Sequence, residues 1–164
     1  PRSCTSAGSM GTATTWGNPE WRNNIATEDA ESIKKLKSIG VNIFGKTNVP
    51  LSLADFQSYN EIYGTTNNPY DLTRVTGGSS GGSAAALAAG LTGIETGSDI
   101  GGSIRNPAHF CGVFGHKATY ELLWMRGHAP PGDNRASSDI SVIGPLARSA
   151  RDLETALLAM ADML

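Results

Sequence analysis

Apolar side chains recur at helical spacing along some stretches of this chain and gather into short extended blocks along others, an alternation that predicts an α/β architecture. Ile33, Leu36 and Ile39 form one stripe, predicted to be buried. Thr27 is placed to cap its helix, Glu28, Asp29 and Glu31 suit the positive end of the helix dipole, Lys34, Lys35 and Lys37 lie near the other end, and Gly40 stops it. Val41-Asn42-Ile43-Phe44 then reads as a strand closed by Gly45, the step expected of a βαβ-type sheet. Ser83 to Gly90 is alanine-rich and uncharged, which predicts a buried helix started by Ser80 or Gly81. Ile94–Gly97 and Val113–Gly115 read as short strands, with a helical turn opening at Asn106-Pro107 between them. An apolar block at Ile140–Ile143 is expected to break at Gly144-Pro145. Ser149, with Asp152 three residues on, resembles a capping box for a last helix over about 150–162 whose buried face is Leu153, Ala156, Leu157 and Met160. Residues 1–26 and 121–139 read as loop, and 51–72, with the Asn67-Asn68-Pro69 turn, as a surface loop near the site.

Composition narrows the class. The chain has 164 residues, 39% of them hydrophobic, with 20 glycines, which suits one loop-rich α/β domain. A net charge of −2 with no basic block argues against nucleic acid as a partner. No apolar run approaches the ~18 residues of a membrane span, and the opening PRSCTSAGSM lacks the apolar segment of a signal peptide. Cys4 and Cys111 stand far apart, the pattern of free thiols in a reducing, cytoplasmic compartment, with Cys111 set between Phe110 and Gly112 as a packing residue. His109, His116 and His128 show no metal-ligand spacing, and neither metal nor cofactor is expected.

The chemistry concentrates in residues 77–105. Two glycine-flanked serine clusters, Gly77-Gly78-Ser79-Ser80-Gly81-Gly82-Ser83 and Gly101-Gly102-Ser103, bracket the alanine-rich helix. Glycines beside a hydroxyl let the backbone bend and approach another group closely, which suits a serine nucleophile with N–H groups aimed at an oxyanion, and equally a phosphate cradle. A P-loop ends in Gly-Lys-Ser/Thr, and no lysine lies between residues 47 and 116, which weighs against a nucleotide-binding module. Lys46, in Gly45-Lys46-Thr47-Asn48, reads either as a catalytic group or as a residue bonded to nearby loops.

The block GGSSGGSAAALAAG followed by GSDIGGSIRNPAHFCGVFGHK, with GKTNVP upstream and IGPLARSARDLETAL downstream, resembles the amidase signature family from about residue 5 to residue 162. That resemblance implies a mixed central sheet covered by helices, only part of which this chain contains, so residues 1–164 are read as one partial domain of that fold. It implies amide hydrolysis by a nucleophilic serine, a bridging serine in a cis peptide, and a lysine. Carried over by motif, Ser103 corresponds to the nucleophile, Ser79 to the bridging serine after a cis Gly78–Ser79 bond, and Ser80 to a supporting hydroxyl. The N–H groups of Ile100, Gly101, Gly102 and Ser103 correspond to the oxyanion hole, and Asp99 and Arg105 to loop-fixing residues. The family's lysine stands in a Lys-Asp-Asn motif expected upstream of this segment; no Lys-Asp pair occurs here, and Lys46 belongs to a different block. No catalytic lysine is therefore assigned. Residues 118–126 also depart from the family's usual glycine-containing turn. The expected substrate is a small-molecule amide, with its identity and the oligomeric state open. The alternatives are an amidotransferase A-type subunit that frees ammonia from glutamine and a non-catalytic fragment; the segment Asp55–Asn60 is more similar to stand-alone amidases.

Overall fold

The computed structural model describes residues 8–132, 139–161 and 163. Cys4 with the rest of residues 1–7, residues 133–138 of the predicted loop, and residues 162 and 164, the first of them the predicted end of the last helix, lie outside them. In chain order the elements are α1 (Glu31–Ser38), β1 (Tyr59–Asn60), β2 (Gly64–Thr65), β3 (Asn67–Asn68), β4 (Asp71–Val75), α2 (Gly81–Ala88), β5 (Ile94–Asp99), α3 (Arg105–Phe110), β6 (Phe114–Gly115), β7 (Val142–Ala147) and α4 (Ala150–Met160). Short 3₁₀ turns occupy Pro19–Trp21 and Leu51–Leu53.

α1 buries Ile33 and Leu36 as the stripe predicts, but its start and end differ from expectation. Its cap is Ala30, not Thr27, and makes no side-chain bond. The Asp29 carboxylate accepts instead from the Met10 N–H and the Lys37 ammonium, and the N–H groups of Ala30 and Glu31 donate to the carbonyls of Gly8 and Arg126 at 2.7 and 3.1 Å. Tertiary acceptors thus replace a local cap. Gly40, at φ 87°, ends the helix, with its N–H and that of Val41 bonded back to Lys37 and Leu36; Ile39 falls on this turn and is exposed.

The sheet order is β5-β7-β6, both outer strands antiparallel to β7 and hence parallel to each other. β5–α3–β6 is therefore a crossover unit into which the later β7 inserts. β7 runs through Gly144-Pro145 rather than breaking there, with Thr96 opposite Pro145. The Pro145 carbonyl accepts from His116 N–H at 3.1 Å, and an extended residue turns its N and C=O to the same side. The missing N–H consequently faces the short β6 edge, and the β5–β7 ladder loses no donor. Residues 41–44 join no ladder among the described residues. Both edges of β7 are occupied, and Val41 and Ile43 serve side-chain packing instead. The 51–72 segment is more ordered than a loop, forming the antiparallel pair β1–β2 and the start of β3–β4.

Alternation along β7 separates two cores. Ile143 faces Leu36, Ala159 and Met160 of α1 and α4. Leu146 faces Ala84 and Leu87 of α2 and Ile104, Ala108 and Cys111. α2 is buried over Gly81–Leu87, as its uncharged alanines predict. The α4 face is shared by buried Ala156, Ala159 and Met160 with half-buried Leu153 and Leu157. Ser149 caps α4, its hydroxyl accepting from the Asp152 N–H at 3.1 Å and donating to its carboxylate at 2.7 Å. Ser149→Ala should cost about 1 kcal/mol in a urea melt without altering the site.

Candidate active site

β5 delivers Asp99 to its C-terminal end, where the chain turns through Ile100-Gly101-Gly102-Ser103 into α3. The Asp99 side chain is fully buried. It accepts from the N–H groups of Gly102, Ile104 and Arg105 at 2.9, 3.1 and 3.3 Å, and from the Arg105 guanidinium at 3.1 and 3.0 Å. Burial by itself raises the carboxyl's pKa. The Arg105 hydrogen bond and the three backbone donors together outweigh it, so Asp99 lies below the usual aspartate value and is ionised. A buried charge is thereby matched by five donors, and the loop is wrapped around it.

The other serine cluster enters α2. Ser79 and Ser80 are buried, and the Gly78–Ser79 peptide is cis. A Cβ on Gly78 would sit 2.5 Å from the Asp55 carbonyl oxygen, so only glycine lets this loop pass the 55–57 segment. The Gly78 N–H donates to Asn106 Oδ1 at 3.2 Å, and the Ser80 N–H donates to the Ser103 carbonyl at 3.1 Å. Among the described residues, the two serine loops are therefore joined through backbone and an α3 side chain rather than through their hydroxyls.

Ser79 and Ser103 line one cleft of about 1420 Å³, together with Ile100, Gly101, Trp16 and Phe56. The N–H groups of Ile100, Gly101 and Ser103 meet no acceptor among the described residues. Gly102 departs from the expected set: its N–H is directed at Asp99 and is not available to an oxyanion. The sequence indicates four N–H groups in a row, but the carboxylate that organises the turn takes one of them.

Lys46 does not line the cleft; its ammonium is bonded to Thr14 Oγ1, and Thr14 forms part of the wall. His128, which the sequence did not single out for the site, does line it, with its ring 5.5 Å from that of Trp16. Burial, reinforced by the Lys46 charge, pulls its pKa down to about 4, so it faces the cleft as a neutral imidazole. Cys111 is buried behind the loop with Sγ 3.5 Å from the Thr76 carbonyl, and burial pushes its thiol up to about 11, which fits packing rather than nucleophilic chemistry. His109 and His116 lie outside the cleft, on α3 and after β6. Asn106 could have been found only as the partner of a loop 28 residues away, which no local pattern announces.

The model of the family described as Amidase matches residues 9–163. Fatty-acid amide hydrolase 2 of Homo sapiens is 44% identical over 140 residues, covering 85% of this chain and 26% of the relative. The glutamyl-tRNA(Gln) amidotransferase A subunit of Oleidesulfovibrio alaskensis is 40% identical over 151 residues, covering 92% and 30%. The solved structure of the corresponding Thermotoga maritima protein superposes with a TM-score of 0.87 at 36% identity, over 94% of this chain and 33% of that one. The chain thus spans about a quarter to a third of the length of these relatives.

Proposed function

The chain belongs to the Amidase family, and on that premise we propose that it carries the nucleophile and oxyanion loop of a serine amide hydrolase. The observation that carries this reading is that one cleft is lined by Ser79, Ser103 and the turn residues Ile100 and Gly101, and that the N–H groups of Ile100, Gly101 and Ser103 meet no acceptor among the described residues. Ser103 Oγ attacks the amide carbon, forming a C–O bond as the carbonyl π pair moves onto oxygen. The proton of Ser103 passes to Ser79 Oγ, which hands its own to a base. The three N–H groups receive the oxyanion, and Asp99 with Arg105 holds their turn. Collapse breaks the C–N bond, the amine departs with the proton returned through Ser79, and water hydrolyses the acyl ester. Ser80 supports the relay by tying its backbone to that of Ser103. No residue of this chain is assigned as the base.

The proposed substrate is a small-molecule amide. No helix among the described residues is long and apolar enough to cross a membrane, and the free buried Cys111 thiol fits a reducing, cytoplasmic setting. The similarity to the amidotransferase relative favours a second reading, release of ammonia from glutamine, which transfer of ammonia to an added acceptor distinguishes from simple hydrolysis. The test of the main reading is fluorophosphonate labelling of the full-length protein that carries this chain, mapped by peptide mass. An adduct on Ser103 is expected; a folded protein that labels elsewhere, or not at all, sinks the assignment.

A further inference from the structure

Ser58 lies in the turn before β1, outside both serine clusters, and is fully buried. Its backbone is held from two sides: its carbonyl accepts from the Thr66 N–H at 3.0 Å and from Asn48 Nδ2 at 3.3 Å. Its hydroxyl is set against the relay loop. Ser58 Oγ lies 3.3 Å from the Gly77 carbonyl and 3.2 Å from the Ser79 carbonyl, and accepts from the Gly81 N–H at 3.0 Å.

A hydroxyl has one proton to give. The Gly77 carbonyl has a second donor in Thr76 Oγ1 at 3.1 Å, so giving the Ser58 proton to the nearer Ser79 carbonyl leaves neither carbonyl without a donor. In the same position its lone pair satisfies the Gly81 N–H, which α2 leaves without an intrahelical acceptor. One oxygen thereby spans the loop from Ser79 into the first turn of α2, fixing the backbone on the C-terminal side of the serine whose hydroxyl opens on the cleft. Asn106 holds the N-terminal side through Gly78. The site is also closely fitted, because a Cβ on Gly81 would collide with Ser58 Oγ.

We propose that Ser58 is a positioning residue for the reaction, acting through Ser79 by locking the backbone from which its hydroxyl projects. The inference rests on the relay role given to Ser79 above. It predicts an effect on the rate of the chemical step rather than on substrate capture, since Ser58 does not line the cleft.

The test is a double-mutant cycle in the full-length protein, read as the rate constant for Ser103 labelling by a fluorophosphonate probe, with the folded fraction of each variant fixed by thermal melts. Ser58→Ala should slow labelling about 10- to 100-fold, the scale of loss from misplacing a reacting group. In a Ser79→Ala background it should have no further effect. An equal slowing in both backgrounds would show that Ser58 does not act through Ser79 and overturns the proposal, as does a folded Ser58→Ala that labels at the wild-type rate. If Ser79→Ala itself labels as fast as wild type, the relay reading fails first and the role of Ser58 falls with it. The near-isosteric pair Ser58→Thr and Ser58→Val separates hydroxyl from packing and decides the matter should the alanine variant not fold. Thr should label within about 3-fold of wild type and Val about 10- to 100-fold more slowly. Equal rates for the two overturn the proposal.

Discussion

Ser103→Ala in the full-length protein is expected to reduce amide turnover by about 10³- to 10⁶-fold while leaving the fold intact. The span is wide because the N–H groups of Ile100 and Gly101, the proposed oxyanion donors, remain in the variant and are expected to give residual catalysis by a water attack. Stability should hold because the structural use of Ser103 is its carbonyl, which accepts from the Ser80 N–H and is present in alanine. The side chain is only half-buried at the cleft, so removing its oxygen strands no buried partner. Kinetics with any amide the protein turns over, paired with a thermal melt, checks both parts. Turnover within a few-fold of wild type would exclude Ser103 as the nucleophile.

Asp99→Ala should combine a large loss of stability with loss of Ser103 labelling. Which effect dominates its energetics follows from exposure. The Arg105 side chain is 55% exposed and returns to water when its partner goes, so the ion pair itself contributes little. The N–H groups of Gly102 and Ile104 belong to buried residues and have no other acceptor among the described residues, at about 1–3 kcal/mol each. A total of about 3 kcal/mol is expected, with the turn released and the oxyanion donors no longer aimed. Asp99→Asn keeps the shape but loses the charge and one acceptor. The native pKa of Asp99 is depressed, so its contribution is fully present above the ordinary aspartate range and is lost as pH falls through the lower native value. The stability gap between wild type and Asp99→Asn should accordingly be widest above about pH 5 and narrow below about pH 4. A gap that stays constant down to about pH 2 would show that Asp99 is not held ionised by the turn. His128 acts in a separate window, opposing protonation from about its ordinary 6.5 down to about 4, and it is common to both proteins.

The features legible in the sequence are those whose physics is local. An uncharged alanine run gains nothing from facing water, and α2 is buried from Gly81 to Leu87. Ser149 and Asp152 carry their own cap, and the structure forms it. Glycines around Ser79 announce close backbone approach, and a Cβ on Gly77, Gly78 or Gly82 would meet another atom at 2.5 Å. Beside Ser103 they serve the bend instead, Gly102 lying at φ 127° and Gly101 facing open space, and both serines line the cleft. Where a signal depended on a competing partner, local reading failed. Thr27 is a good cap, but Gly8 and Arg126 supply carbonyls to the start of α1 from elsewhere in the chain. Gly144-Pro145 is a strand breaker by propensity, but Pro145 meets the short edge of the sheet, where its missing donor costs nothing.

The amino-acid sequence by itself determined the family, the serine pair and the glycine-framed turns, because these depend on side-chain identity, chain sterics and short spacing. Only the tertiary structure decided how the hydrogen bonds were shared out. It gave the Gly102 N–H to Asp99, set Ser58 against a loop 21 residues away, and placed neutral His128 beside Trp16 in the cleft wall. A buried donor takes the acceptor that packing brings within about 3 Å, and that choice is made between surfaces that meet only when the chain has folded.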